Sequence, residues 1–210
     1  MVGVVLKKKV INKLMNIIKK NKKYTEIELK EIEYGLVSIY LTITKIIFIL
    51  ILSIILDIFK EVLIFMIFFN IIRMFAFGLH ATKSWICWIT STFTFIVIPL
   101  ISKYLVINVF VVEIICLINV LLIFKNSPAD TKKRPIVNRK RRIIYNGAST
   151  VIAIIYSILA IIINNNYITN CLIWALVVEN ILISPTTYKI FKMSYNNYID
   201  FLKSHPDFTY

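Results

Sequence analysis

The sequence predicts an all-α, polytopic membrane protein, and three observations carry that prediction. Hydrophobic residues fill 59% of the 210 positions, and the mean hydropathy is +0.78, too apolar for a soluble globule. The apolar runs continue for close to ~20 residues without alternation, which indicates helices and not a barrel. The formal net charge is +14. In a membrane protein such charge marks cytoplasmic loops and contact with anionic lipid, so no nucleic-acid partner is called for.

Residues 1–35 read as an N-terminal amphipathic cytoplasmic segment. Leu6, Val10, Leu14 and Ile17 or Ile18 recur at helical spacing, and Lys7, Lys8, Lys9, Lys13, Lys19 and Lys20 occupy much of the rest. That pattern predicts a helix on the membrane surface, with a solvated basic tail as the plainer alternative. The segment is long and lacks a small-residue cleavage motif, so no cleavable signal is expected. A membrane-embedded region follows over 36–188, with apolar segments at 36–56, 62–79, 84–102, 105–124, 143–163 and 168–188. Several are near the length that crosses a ~30 Å hydrocarbon core. Between the fourth and fifth lies a basic loop, 125–142, where Pro128 and Pro135 forbid a continuous helix. Residues 189–210 form a cytoplasmic tail, in which His205 reads as an ordinary solvated residue.

Lys and Arg placement sets the orientation. With both termini cytoplasmic, 22 of the 25 basic residues fall on the inner side, Lys60 and Lys103 fall outside, and Lys45 lies within the first span. The junction of the second and third spans is then cytoplasmic. Three ionisable residues, Lys45, Glu113 and Glu179, lie inside spans. Buried charges are costly and face a partner or a cavity, so Lys45 is a candidate partner for Glu113 or Glu179.

The reactive residue types gather in one stretch, Arg73-Met-Phe-Ala-Phe-Gly78-Leu-His80-Ala-Thr-Lys83-Ser-Trp-Ile-Cys87. It holds one of two histidines and one of three cysteines. If it is helical, the spacing puts His80 and Cys87 on one face after almost two turns. If it turns at Lys83-Ser84, the two meet across a helical hairpin. A thiol beside an imidazole is the minimal cysteine nucleophile and base pair. Arg73, His80 and Lys83 add positive charge, which favours the thiolate. Gly78 removes a side chain two residues before His80 and lets another backbone approach. The plainer readings make Cys87 small packing material and His80 an interfacial polar residue. Cys116 and Cys171 have no His nearby and read as packing.

The three cysteines give neither a disulfide framework nor a metal pattern. Neither His-Glu-x-x-His nor a Gly-rich phosphate loop occurs, so no metal and no cofactor is expected. Six helices with intramembrane charges also fit a transporter or permease component for a peptide or small molecule. Against that, the chain has 4 Gly and 5 Pro, Pro99 is the main mid-span breaker, and matched broken helices are not evident. A non-enzymatic membrane assembly factor is a third reading.

Arg73, then Gly78-Leu79-His80-Ala81, then Cys87 resembles the Arg…Gly-x-His-Ala-x5-Cys signature of the accessory gene regulator B (AgrB) family. Tyr34-Gly35-Leu36 precedes the first span as in its members, and Ser127-Pro128-Ala129-Asp130-Thr131 is similar to its Pro-Ala-Asp-Thr loop. The three motifs keep the family's order over nearly the whole chain. One departure stands out: Phe77 precedes Gly78 and Leu79 follows it, where members often place two small residues before the His. The resemblance implies a cysteine endopeptidase of the bacterial cell membrane, homodimeric, acting in quorum sensing. Its partner would be an AgrD-like precursor peptide, whose acidic C-terminal tail is removed through a Cys thioester before closure to a thiolactone. By motif, Cys87 is the nucleophile, His80 its base, and Arg73 and Gly78 are supporting residues. Asp130 is one candidate to orient His80. Arg134, Arg139, Lys140, Arg141 and Arg142, with Lys132 and Lys133, are candidates to steer the acidic tail or to hold anionic lipid.

Overall fold

The computed structural model describes residues 2–21, 24–79, 84–132, 134–163 and 165–205. Among them are nine helices: α1 (Val2–Asn21), α2 (Glu26–Ile55), α3 (Phe59–Ala76), α4 (Ser84–Tyr104), α5 (Val109–Asn126), α6 (Arg139–Ile162), α7 (Asn166–Ile183), α8 (Pro185–Ile190) and α9 (Asn197–Ser204). The chain divides into two units, Met1–Leu52 and Ser53–Tyr210.

In the first unit, α1 buries Ile11 and Met15, one turn apart, and exposes Lys8, Lys9, Lys13, Lys19 and Lys20. The buried pair lies beside the predicted apolar stripe, of which Leu14 and Ile17 are exposed. α2 starts ten residues earlier than the predicted span, because a capping box sets its N-terminus. Thr25 N–H donates to Glu28 Oε2 (2.8 Å), and Glu28 N–H donates to Thr25 Oγ1 (3.3 Å).

The second unit is a helical bundle built around α7, which packs on α3, α4, α5 and α6. Among the described residues five helices, α2, α4, α5, α6 and α7, are long and apolar enough to cross a membrane. α3 has 18 residues but carries Lys60, Glu61 and Arg73. The six predicted apolar segments therefore correspond to α2–α7, and the protein is a polytopic all-α membrane protein.

Its burial pattern is that of a protein dissolved in lipid. Large side chains such as Leu117, Leu121, Phe124 and Ile162 are exposed, while α6 turns Ser149, Ala153, Ser157 and Ala160 inward. Small residues at helix contacts let backbones approach where no hydrophobic force drives association. Amide side chains tie the bundle: Asn180 Nδ2 donates to Asn119 Oδ1 (2.6 Å) between α7 and α5. Asn170 Nδ2 donates to Ser102 O (3.1 Å) and Leu105 O (2.6 Å) at the end of α4.

α3 and α4 are antiparallel. Phe65 and Phe69 meet Phe95 edge-on, with centroids 5.8 and 5.6 Å apart, and Lys103 pairs with Glu61 at 3.6 Å. The end of α3 and the start of α4 consequently lie at one end of the pair. The sixth span, predicted to reach 188, breaks at Ser184-Pro185: Ser184 caps α8 and Pro185 takes its first position. The tail forms α9.

Candidate active site

α3 ends at Ala76, and Phe77, Gly78 and Leu79 are not helical. α3 therefore stops short of His80 and carries neither it nor Cys87. His80 and Lys83 fall at 80–83, outside the described residues. Cys87 sits in the first turn of α4, half-buried, with Sγ 3.9 Å from Ser91 Oγ.

The segment leading to His80 is gripped from two sides. Gly78 N–H donates to Ala129 O (2.8 Å), and Ala129 N–H donates to Ala76 O (3.0 Å), forming a short parallel bridge at Phe77 and Ala129. Leu79 N–H donates to Leu182 O in the last turn of α7 (2.9 Å). Phe77 and Gly78 both take positive φ, 61° and 101°. A phenylalanine at such a φ is strained, and the tertiary contacts on either side hold it there. Its ring meets Tyr145 of α6 edge-on at 5.0 Å. Gly78 needs to be glycine for space as well as for φ. A Cβ there would stand 2.6 Å from Arg73 Nη1, 2.9 Å from Leu182 O and 3.1 Å from Ile183 Cγ2. Another backbone does approach Gly78, and it belongs to α7.

Arg73 fills the space beside Gly78. Its Nη2 donates to Leu79 O (2.6 Å), and its Nη1 reaches both carboxylate oxygens of Glu179 at 3.4 Å. Glu179 is fully buried. Within this unit Arg73 is the partner of Glu179. No local spacing marks this pair, because it joins α3 to α7 across 106 residues.

The Ser127–Asp130 loop supports the same segment. The Ser127-Pro128 bond is cis. Asn146 Nδ2 of α6 donates to Ser127 O (2.6 Å), and Ser127 Oγ lies 2.6 Å from Ser149 Oγ. Tyr188 of α8 donates its hydroxyl to Asp130 O (2.9 Å). Burial pushes the Tyr188 phenol far above its ordinary range, so it remains a neutral donor.

Asp130 serves the tail. Its carboxylate accepts from Asn197 N–H (2.9 Å), Tyr198 N–H (2.9 Å) and Ile136 N–H (3.3 Å), and pairs with Arg142 at 3.6 Å. Arg142 also stacks over the Tyr198 ring at 3.6 Å. This distinguishes Arg142 from its neighbours: Arg134, Arg139, Lys140 and Arg141 are exposed, whereas Arg142 is held by Asp130 and Tyr198. Lys132 is exposed, and Lys133 lies outside the described residues. Among the described residues no cluster of His, Cys, Asp or Glu is suited to a metal ion.

Comparison with known proteins adds a family to this geometry. The model of a family described as accessory gene regulator B matches residues 11–183. A putative AgrB-like protein of Clostridium acetobutylicum is 31% identical over 199 residues, covering 93% of this chain and 95% of that relative. The accessory gene regulator protein B of Staphylococcus aureus (strain MRSA252) is 30% identical over 182 residues, covering 85% and 94%. No solved structure matches.

Proposed function

Because this chain belongs to the accessory gene regulator B family, we propose that it is a membrane cysteine endopeptidase that trims the acidic C-terminal tail from a quorum-sensing peptide precursor. The supporting observation is the junction of α3 and α4. His80 directly follows a segment clamped by Ala129, Leu182 and Arg73, and Cys87 lies in the first turn of the neighbouring helix at the same end. The unpaired N–H groups of a first helical turn favour negative charge, which suits an attacking thiolate.

The chemistry uses the thiolate of Cys87 and the imidazole of His80. The thiolate attacks the scissile carbonyl, and protonated His80 gives its proton to the departing amine. The amide C–N bond breaks, the tail leaves with a free amino group, and the core peptide stays as a thioester on Cys87. A thiol within the precursor then attacks that thioester. The new C–S bond closes a thiolactone, and Cys87 leaves as thiolate. Water must lose this competition, and a site recessed at a membrane edge helps to exclude it. Amide-to-thioester exchange is uphill, so removal of the released tail draws the reaction forward. Both termini and the 125–142 loop face the cytoplasm in this reading, on the side where precursor is made.

The decisive experiment is mass spectrometry of reconstituted protein incubated with precursor. Wild-type protein should release the tail and carry the core peptide on Cys87. Cys87→Ala and His80→Ala should each lower turnover by about 10³-fold or more. Tail release by Cys87→Ala at the wild-type rate would refute the endopeptidase reading, and a transporter would show this indifference to the thiol.

The exposed cations Arg139, Lys140 and Arg141 sit on the same face in this reading and attract an anionic peptide. Neutralising these three should raise KM and leave kcat nearly unchanged, since no transition-state contact is lost. Added salt should weaken wild-type binding. An unchanged KM at low salt in correctly inserted protein would assign the cluster to topology and lipid alone.

A further inference from the structure

We infer that Glu179 is a positioning residue for His80, acting through Arg73; this deepens the endopeptidase reading and rests on it. Glu179 lies on α7 and touches neither Cys87 nor the segment 77–79 in the described contacts. Its side chain is fully buried, and its two oxygens both face Arg73 Nη1 at 3.4 Å, while Arg73 Nη2 donates to Leu79 O at 2.6 Å. Leu79 O belongs to the peptide group that joins Leu79 to His80. That group is planar, so fixing its oxygen fixes the plane from which the His80 backbone departs. Leu182, three residues after Glu179, holds the N–H of Leu79 at 2.9 Å. One turn of α7 therefore sets both sides of Leu79, directly at the N–H and through Arg73 at the C=O.

The carboxylate is needed because the guanidinium is desolvated. The Arg73 side chain is 18% exposed and α3 ends three residues beyond it, so the membrane surface is within reach of so long a side chain. A buried cation without its counter-charge is costly, and arginine readily turns its head toward water. The charge of Glu179 keeps it pointing inward, across the space beside Gly78. Loss of that charge should let Arg73 swing out and release Leu79 O. The thiol and the imidazole would then both survive but stand in the wrong relation to each other.

Full-length protein in liposomes tests this with two readouts, precursor turnover and the pH dependence of Cys87 alkylation by iodoacetamide, followed on the Cys87 peptide. Glu179→Gln should lower kcat by about tenfold or more, keep KM within about twofold, and move the alkylation midpoint toward that of a free thiol. Arg73→Gln should do the same, and the double variant should lose no more than either single one. Glu179→Asp should recover part of kcat. Three results would overturn the inference: a wild-type kcat in Glu179→Gln, losses that multiply in the double variant, or a fall in yield and thermal stability with an unshifted alkylation midpoint. The last would make the pair a packing device only. His80→Ala serves as the reference. If it moves neither turnover nor the midpoint, the endopeptidase reading itself falls, whereas a response to His80→Ala and none to Glu179→Gln removes the positioning role alone.

Discussion

Gly78→Ala should reduce precursor turnover by about 100-fold or more while α3, α4 and α7 stay folded. Two independent costs meet at this position. The residue has φ of 101°, a conformation L side chains rarely adopt. The added methyl would also stand 2.6 Å from Arg73 Nη1 and 2.9 Å from Leu182 O. Arginine can yield, but by doing so it gives up Leu79 O and Glu179. The Leu182 carbonyl is backbone in the last turn of a central helix and cannot yield without moving α7. The cheaper response is for residues 77–79 to shift away, and these residues carry the chain to His80. The cost therefore falls on geometry at the reacting groups and not on the bundle. Circular dichroism and membrane yield should match wild type, with the loss in kcat. Wild-type turnover in this variant would show that the clamp tolerates displacement, and Gly78 would then have no part in the site.

The helices of this protein were legible in the sequence because lipid leaves a strong signal: apolar runs of spanning length, separated by charge. The candidate stretch stood out because His80, Cys87, Arg73 and Gly78 are rare residue types in an apolar chain. Where α3 stops was not. Arg73-Met-Phe-Ala-Phe contains no breaker before Gly78, and the stop at Ala76 is set by Ala129 and Leu182, both distant in sequence. Phe77 at positive φ runs against local preference and is held there by tertiary contact. The Arg73–Glu179 pair was likewise hidden, since an ion pair between helices requires knowing which helices are neighbours. Arg142 looked like one cation among several, and only the fold separates it from Arg139, Lys140 and Arg141. The break after α7 did carry a local signal in Ser184-Pro185, a cap followed by a first-turn proline.

Asp130→Ala should detach α9 and leave the α3–α4 junction in place. α9 has no cap of its own: Asn196 sits in the left-handed region and makes no side-chain bond to the helix. Asp130 supplies the cap from outside, accepting the N–H groups of Asn197 and Tyr198 at 2.9 Å each. Its negative charge also complements the helix dipole and holds Arg142, whose guanidinium covers Tyr198. Removing the carboxylate leaves two first-turn donors without an acceptor and a half-buried cation without its partner. Hydrogen bonds to charged groups and broken buried pairs together place the loss of tail docking at about 3 kcal/mol. Amide hydrogen exchange should accelerate by roughly 100-fold at residues 197–204, the factor such a loss implies. Exchange at Gly78 should hold, because its acceptor is the backbone oxygen of Ala129 and not the Asp130 side chain. Asp130→Asn should fall between, since it keeps one acceptor oxygen and loses the charge. Turnover separates this role from orientation of His80, the other role considered for Asp130. A tail anchor predicts fast exchange in α9 with kcat within about threefold of wild type. Unchanged exchange in α9 with kcat lost would instead place the Asp130 carboxylate at the imidazole.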